Sequence, residues 1–147
     1  MDNARNKRLL ESFERSEIMK HFGAEASIIS DGYFEITVSK QNFMVRPAGM
    51  FNGSTIATLV DISSGYAAAS ATRQNSYFTT VELKINYLNP ALGDKLIARA
   101  QVIKNGKRLS VVRSDVFSIQ VKGEALVATS LVTLMQLQNR NNETQID

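Results

Sequence analysis

The first 39 residues change from a helical to a strand-like spacing of apolar positions. Within residues 2–22, apolar side chains recur near helical spacing among Arg, Lys and Glu, which predicts one amphipathic helix that ends at Gly23. Residues 24–30 and 33–39 then alternate apolar and polar side chains on either side of Asp31-Gly32. Because Asp-Gly between two such runs favours a tight turn, these residues predict a β-hairpin.

Residues 47–72 have a different pattern, because Asp61 is the only charged residue among them. Small and apolar side chains fall on nearly every face from Gly53 to Ala71, which predicts a long helix that is buried on most sides. A carboxylate is costly to bury without a partner. Asp61 is therefore the first candidate for a functional residue, the alternative being a carboxylate satisfied by neighbouring hydroxyl groups.

The second half of the chain has the pattern of strands joined by short turns. Turns are predicted at Asn89-Pro90 with Leu92–Asp94, at Asn105-Gly106 as a two-residue type I′ turn, and at Lys122-Gly123. The strands between them are predicted at residues 80–88, 95–104, 108–121 and 125–137. In the first of these strands Val81, Leu83, Ile85 and Tyr87 alternate with polar residues, which predicts a strand with one buried and one solvent-exposed face. A long buried helix lying on such an antiparallel sheet is an α+β arrangement. Residues 1–137 form the predicted domain, and residues 138–147 a polar tail.

Composition narrows the possible chemistry. A chain of 147 residues fits one domain, and the absence of cysteine excludes disulfides, thiolate metal sites and a cysteine nucleophile. His21 is the single histidine, expected on the surface at a helix end, so neither a His-dependent triad nor a metal site is expected. The net charge of +3 is diffuse, and the start of the chain is too charged for a signal peptide. We therefore expect a cytoplasmic protein that binds neither nucleic acid nor membrane.

Several segments, in order, resemble the hot-dog acyl-CoA thioesterases of the phenylacetate-degradation type, which include the 4-hydroxybenzoyl-CoA thioesterases. The similar segments are Asn52-Gly53-Ser54 with the apolar run to Asp61, then Gly65–Ala68, residues 80–88 with Pro90, and residues 102–109. The resemblance implies a curved antiparallel sheet wrapped around a central helix. It also implies hydrolysis of acyl-CoA to acid and CoA, a homodimer or homotetramer with the site at a dimer interface, and no cofactor beyond the coenzyme A of the substrate.

Three positions depart from the pattern of that family. Asn52 stands where the family usually has histidine, Ser54 replaces the second glycine, and Arg46 occurs where many members have asparagine. These departures keep a second function open, a non-catalytic protein of the same fold that binds acyl-CoA or another acyl ligand. A hot-dog dehydratase is a third possibility, but it would need a histidine beside the acid, and His21 in the first predicted helix is badly placed.

The predicted catalytic residues are Asp61, Gly53, Asn52 and Thr80. Gly53 begins a helix, where free N–H groups favour a developing oxyanion, and Asn52 is expected to cap that helix. Asp61 lies eight residues further on, ~12 Å along the axis, which is too far for both to reach one carbonyl. The resemblance implies that Gly53 of one subunit faces Asp61 of another. Asp61 would then be the general base or the nucleophile.

The resemblance also suggests residues that contact the substrate. It implies that Thr80 orients the attacking water, the alternative being an ordinary strand residue. Arg46 is expected to bind a phosphate or to replace the missing polar contact, and Ser54 is grouped with the substrate-binding residues. The basic hairpin at Lys104, Asn105, Gly106, Lys107 and Arg108 suits the phosphates of coenzyme A, although such residues are also common at a solvated hairpin tip.

Overall fold

The computed structural model describes residues 3–73 and 76–138, which form one antiparallel sheet and three α-helices. The sheet has the order β1-β2-β4-β5-β6-β3, so β1 and β3 form its edges. This arrangement confirms the α+β prediction and the hot-dog fold. The elements are α1 Asn3–Glu14, α2 Glu17–Phe22, β1 Glu25–Ser30, β2 Tyr33–Ser39, a 3₁₀ turn Asn42–Met44, α3 Gly53–Ser70, β3 Ser76–Tyr87, β4 Lys95–Asn105, β5 Leu109–Gln120 and β6 Gly123–Gln138.

The helix α3 is the centre of the fold, as the apolar character of residues 47–72 predicted. It packs against β2, β3, β4, β5 and β6, and Leu59, Val60, Ala67 and Ala68 are fully buried. The hydroxyl of Ser63 is buried as well, where it donates to the Val60 carbonyl at 3.2 Å and shares a 2.9 Å hydrogen bond with Ser114 on β5. Small side chains let the helix lie close to the sheet, so its position is fixed by packing along its length.

The amino-terminal segment forms two helices, so the prediction of one helix over residues 2–22 was wrong. Helix α1 ends at Glu14, and α2 begins after Ser16, whose backbone is extended and whose side chain accepts a hydrogen bond from Met19 N at 3.4 Å. A serine that caps a helix favours a new start over continuation. The predicted stop at Gly23 is confirmed, because Gly23 ends α2 in the left-handed conformation with φ of 61°.

The hairpin at Asp31-Gly32 is confirmed, whereas the predicted type I′ turn at Asn105-Gly106 is wrong. Asn105 still pairs with Ser110 in the sheet, and the connection consists of residues 106–108. A type I′ turn needs positive φ at both central residues, and Gly106 does not have positive φ. Asn105 instead uses its side chain, which donates to the Ala71 carbonyl at 3.3 Å and accepts from Ser110 Oγ at 2.7 Å.

The edge strand β3 begins at Ser76, four residues before the predicted start at Thr80. Its pairing with β6 shifts between Thr80 and Glu82, so that Val81 forms a bulge. The predicted alternation of buried Val81, Leu83, Ile85 and Tyr87 is therefore correct only for Leu83 and Ile85, which are half-buried, since Val81 and Tyr87 are exposed. Of the predicted tail, Gln138 ends β6, and residues 139–147 lie outside the described residues.

Candidate active site

Asp61 and Thr80 are joined by a short hydrogen bond. Thr80 Oγ1 donates to Asp61 Oδ1 at 2.6 Å, which links the middle of α3 to the point where β3 bulges. Asp61 is half-buried, so its side chain is partly accessible to solvent although most of α3 is packed against the sheet. Because Thr80 holds one carboxylate oxygen, the other oxygen of Asp61 keeps its lone pairs for a further partner.

A cleft of about 510 Å³ opens beside this pair, between α1, α3 and β3. One side of α3 contributes Asp61, Ile62, Gly65, Tyr66 and Ala69, which are spaced at three and four residues and so share a face. Side chains from the other elements, which include Leu9, Phe78 and Leu134, make much of the remaining wall apolar. A carboxylate at the wall of a largely apolar cleft is a typical arrangement for an active site.

Gly53 begins α3 as predicted, but Asn52 does not cap the helix with its side chain. Asn52 Nδ2 instead points toward the Phe43 carbonyl at 3.5 Å, which corrects the predicted capping role. Within residues 3–73 and 76–138, the backbone N–H groups of Gly53 and Ser54 have no hydrogen-bond partner. Two free N–H groups at a helix start are the donors that an oxyanion site requires.

Tyr87 covers Gly53, a contact that the sequence analysis missed. The Tyr87 hydroxyl donates to the Gly53 carbonyl at 3.0 Å, and a Cβ on residue 53 would meet the tyrosine ring at 3.3 to 3.4 Å. The glycine therefore makes room for a neighbour on β3, in addition to any access that it gives to a ligand. The alternation in the strand indicated only a residue on its apolar face, and the contact depends on the packing of β3 against α3.

Asp61 and Gly53 do not share a site within one chain. Gly53 lines a second cleft of about 460 Å³ with Arg46, Met50, Tyr87 and Pro90, and none of these lines the Asp61 cleft. Arg46 therefore lines the same cleft as Gly53. Ser54 is exposed in the first turn of α3, where its carbonyl accepts the Thr58 hydroxyl at 2.9 Å.

The basic hairpin lies at the opposite end of α3 from Gly53. Asn105 Nδ2 contacts the Ala71 carbonyl and Thr72 Oγ1 at 3.3 and 3.4 Å, just beyond the end of the helix. Lys107 and Arg108 are exposed and line a cleft of about 490 Å³ with the end of β6. Within one chain, the predicted phosphate-binding residues therefore lie at opposite ends of α3, with Arg46 near its start and the hairpin near its end.

The contacts of His21, Ser63 and Ser64 do not connect these residues to Asp61. His21 is exposed at the end of α2, as expected, and its ring stacks on Phe43 with centroids 4.4 Å apart. Ser63 bonds to backbone and to Ser114, while neither Ser63 nor Ser64 has a hydrogen bond to Asp61. In the described part of the chain, no group of three or more His, Asp or Glu residues is arranged to hold a metal ion, and no helix is long and apolar enough to cross a membrane.

Residues 48–125 match the family model of the thioesterase superfamily. This match includes more than half of the chain, and it runs from the loop before Gly53 to the start of β6. The chain belongs to the thioesterase superfamily. The family match and the fold together support a thioester hydrolase, with the Asp61 cleft as its candidate active site.

Solved structures agree with this assignment. A thioesterase family protein from Silicibacter pomeroyi is 30% identical, with a TM-score of 0.86 over 90% of this chain and 98% of that one. A Bacillus halodurans protein, solved with CoA, is 26% identical, with a TM-score of 0.74 over 93% and 91%. The E. coli PaaI protein from the phenylacetic acid degradation operon is 21% identical, with a TM-score of 0.77 over 91% and 92%, and supports the fold.

Proposed function

We propose that this protein hydrolyses acyl-CoA thioesters to the free acid and CoA at a site completed by a second copy of the chain. The observation that carries the proposal is the Asp61–Thr80 pair at the wall of a cleft that Gly53 of the same chain does not reach. A single chain has the acid and the oxyanion donors, but at two separate clefts. Two copies with antiparallel α3 helices would bring Gly53 of one beside Asp61 of the other.

The chemistry follows from these groups. As a general base, Asp61 takes a proton from water through the oxygen that Thr80 leaves free, and the hydroxide attacks the thioester carbon. The tetrahedral oxyanion accepts hydrogen bonds from the N–H groups of Gly53 and Ser54. When the carbon–sulfur bond breaks, the protonated Asp61 returns its proton to the departing thiolate. Asp61 acting as nucleophile, through an anhydride that water then hydrolyses, uses the same groups.

The edge strand β3 offers a surface to which a second copy of the chain could pair. Its twelve residues lie at the edge of the sheet, and Tyr77, Val81 and Tyr87 on it are about half exposed. A long edge with apolar side chains is a ready site for pairing with another strand. Pairing of β3 with its own copy would be self-complementary, as a twofold interface requires, and would continue the sheet across the dimer. The Bacillus halodurans relative that was solved with CoA supports a CoA thioester as the substrate.

The first experiment is a thiol-release assay with aromatic, short-chain and medium-chain acyl-CoAs on the wild type and the Asp61→Asn variant. We expect turnover in the wild type and a loss of at least about 100-fold in the variant, within the range for a positioned acid or base. Asp115→Asn is a matched control, because Asp115 also accepts a threonine hydroxyl, from Thr129 at 2.6 Å, but lies away from the cleft. Equal activity of wild type and Asp61→Asn would contradict the proposal.

A mixing experiment tests the shared site. Asp61→Asn and Gly53→Val are each expected to be inactive, and co-refolding them in equal amounts gives about half mixed dimers. Each mixed dimer has one site with both residues intact, so about a quarter of the wild-type activity should return. No recovery from a mixture that contains mixed dimers, as measured by differently tagged chains, would mean that Asp61 and Gly53 do not act across the interface.

The cover that Tyr87 forms over Gly53 favours a second candidate, an acyl-CoA binding protein without turnover. A ring packed on the helix start narrows the approach of a carbonyl to the Gly53 N–H. In that case, calorimetry would detect binding of a CoA ester by the wild type while no thiol is released from any member of the panel. Turnover that is lost in Asp61→Asn rules this candidate out.

A further inference from the structure

The Asp61 cleft continues as a groove toward the end of α3. Helix α1 runs antiparallel beside α3, since Ser12 Oγ lies 3.1 Å from the Tyr66 hydroxyl and Arg5 Nη1 donates to the Thr72 carbonyl at 3.2 Å. The cleft beyond it, of about 470 Å³, shares Leu9, Ala69 and Ser76 with the Asp61 cleft. The two clefts therefore adjoin, with Asp61 at one end of the groove.

The far end of this groove is lined by arginines. Arg5, Arg8 and Arg73 all contribute to the second cleft, and Arg5 is ion-paired with Asp31 at 2.9 Å. Arg8 and Arg73 are exposed, and neither has an ion pair with any residue in the described part of the chain. Two unpaired guanidinium groups at one cleft are suited to bind phosphate, which they contact through paired N–H donors.

The length of the groove and its lining, apolar walls with two hydroxyls between its ends, suit a long arm that has both apolar and polar parts. From Asp61 to Ser70 at the end of α3 is nine residues, or about 14 Å along the axis. The hydroxyls of Ser12 and Tyr66 lie between the two ends and can exchange hydrogen bonds with an amide. The pantetheine arm of coenzyme A is an extended chain of similar length with two amides, a thioester at one end and phosphates at the other.

We propose that Arg8 and Arg73 bind the phosphates of coenzyme A, with the pantetheine arm in this groove and the thioester at Asp61. This inference rests on the proposed function and adds the direction in which the substrate lies. The reverse direction would place the phosphates near Arg46 of the second copy, beside its Gly53. The first direction also places the phosphates near Asn105 of the hairpin, whose side chain contacts Thr72 in the arginine cleft.

Arg8 and Arg73 could also serve only to stabilise the fold, because they lie near the carboxyl-terminal end of α3. The end of a helix carries partial negative charge, which a nearby cation stabilises. A role limited to helix stability would change the unfolding free energy of the protein and leave the discrimination between substrates with and without phosphates unchanged. The experiment therefore compares two substrates that differ only in those phosphates and the nucleotide that carries them.

The test measures KM for one acyl group carried by CoA and by pantetheine, which lacks the nucleotide and its phosphates. In Arg8→Gln/Arg73→Gln we expect KM for acyl-CoA to rise by about tenfold or more at low ionic strength, and KM for acyl-pantetheine to stay within about twofold. Lys95→Gln/Lys122→Gln is the matched control, since it removes two exposed charges remote from the groove. It should leave both KM values unchanged. Urea unfolding of each variant measures stability separately.

Other results would overturn the inference. An equal effect of Arg8→Gln/Arg73→Gln on both substrates, or no effect, would exclude phosphate binding there. A phosphate-selective effect in Arg46→Gln alone would establish the reverse direction. Wild type inactive on both substrates would instead contradict the proposed function. Calorimetry with CoA itself then decides the inference, which stands if the double variant loses about tenfold in affinity and fails if its affinity equals that of the wild type.

Discussion

Thr80 on the edge strand donates a 2.6 Å hydrogen bond to Asp61 in the middle of the central helix. The bond fixes the orientation of the carboxylate with one oxygen engaged and the other available. It also joins the edge strand that we propose as the dimer interface to the proposed base. Movement of β3 would therefore change the position of the acid, and we expect Thr80 to act by positioning Asp61.

Replacing Thr80 tests this relationship. Thr80→Val keeps the shape and removes the donor, and since a hydrogen bond to a charged group is worth about 1.5–3 kcal/mol, kcat should fall by about 10- to 150-fold. Thr80→Ser keeps the hydroxyl and should stay within a few-fold of the wild type. Steady-state kinetics with the best acyl-CoA measures both. Equal kcat in the Thr80→Val and Thr80→Ser variants would mean that the bond does not position Asp61.

The contact between Gly53 and Tyr87 predicts a coupling in stability. Gly53→Ala adds a Cβ that lies 3.3 to 3.4 Å from the ring, so the ring must shift, and this cancels the gain of about 0.4–1 kcal/mol that alanine usually brings by restricting the unfolded chain. In a Tyr87→Ala background the gain should appear. A double-mutant cycle by urea unfolding should give a coupling of about 0.5–1 kcal/mol. Additive effects would indicate that the ring does not restrict residue 53.

Gly93 is a position where the fold admits no side chain. Its φ is +100°, and a Cβ would lie 2.1 Å from the Ile119 carbonyl oxygen, a backbone atom that can yield only if β5 moves. Gly93→Ala should lower the free energy of unfolding by about 3 kcal/mol or more. Gly49 provides the control, since its φ is +88° but nothing lies within 4 Å of its Cβ position. Chemical denaturation should show a clearly smaller loss for Gly49→Ala.

The raised pKa of Tyr33 predicts that the protein loses stability at alkaline pH. Burial and the adjacent Glu35, which accepts its hydroxyl at 2.9 Å, raise the pKa of Tyr33 from 10.0 to about 12. Between pH 10 and 12 the unfolded chain therefore loses this proton while the folded protein keeps it, so the free energy of unfolding falls as pH rises. In Tyr33→Phe this contribution is absent. Urea midpoints at about pH 9 and about pH 11 should differ more for the wild type than for the variant.

The pattern of the sequence was sufficient to predict the helix and strands that form the core. Alternation in residues 33–39 and the Asp31-Gly32 turn predicted the first hairpin, and the apolar surface of residues 53–71 predicted a helix buried on most sides. These predictions succeed because the side chains on the buried face of a strand or helix recur at a fixed spacing. The spacing of apolar residues along the chain therefore indicates the type of element directly. Local turn chemistry was less decisive, since Gly106 does not have the positive φ of a type I′ turn and the Asn105 side chain bonds to the Ala71 carbonyl beyond the end of α3.

The sequence alone determined that Asp61 is the exceptional charge of its segment and that Gly53 begins the helix. Tertiary structure decided what surrounds them. The bulge at Val81 sets Thr80 against Asp61, the crossing of β3 sets Tyr87 on Gly53, and the antiparallel packing of α1 on α3 aligns Arg8 and Arg73 with the Asp61 groove. These contacts join residues far apart in the chain, and no local periodicity encodes them, because they depend on which surfaces the sheet and helices present to one another.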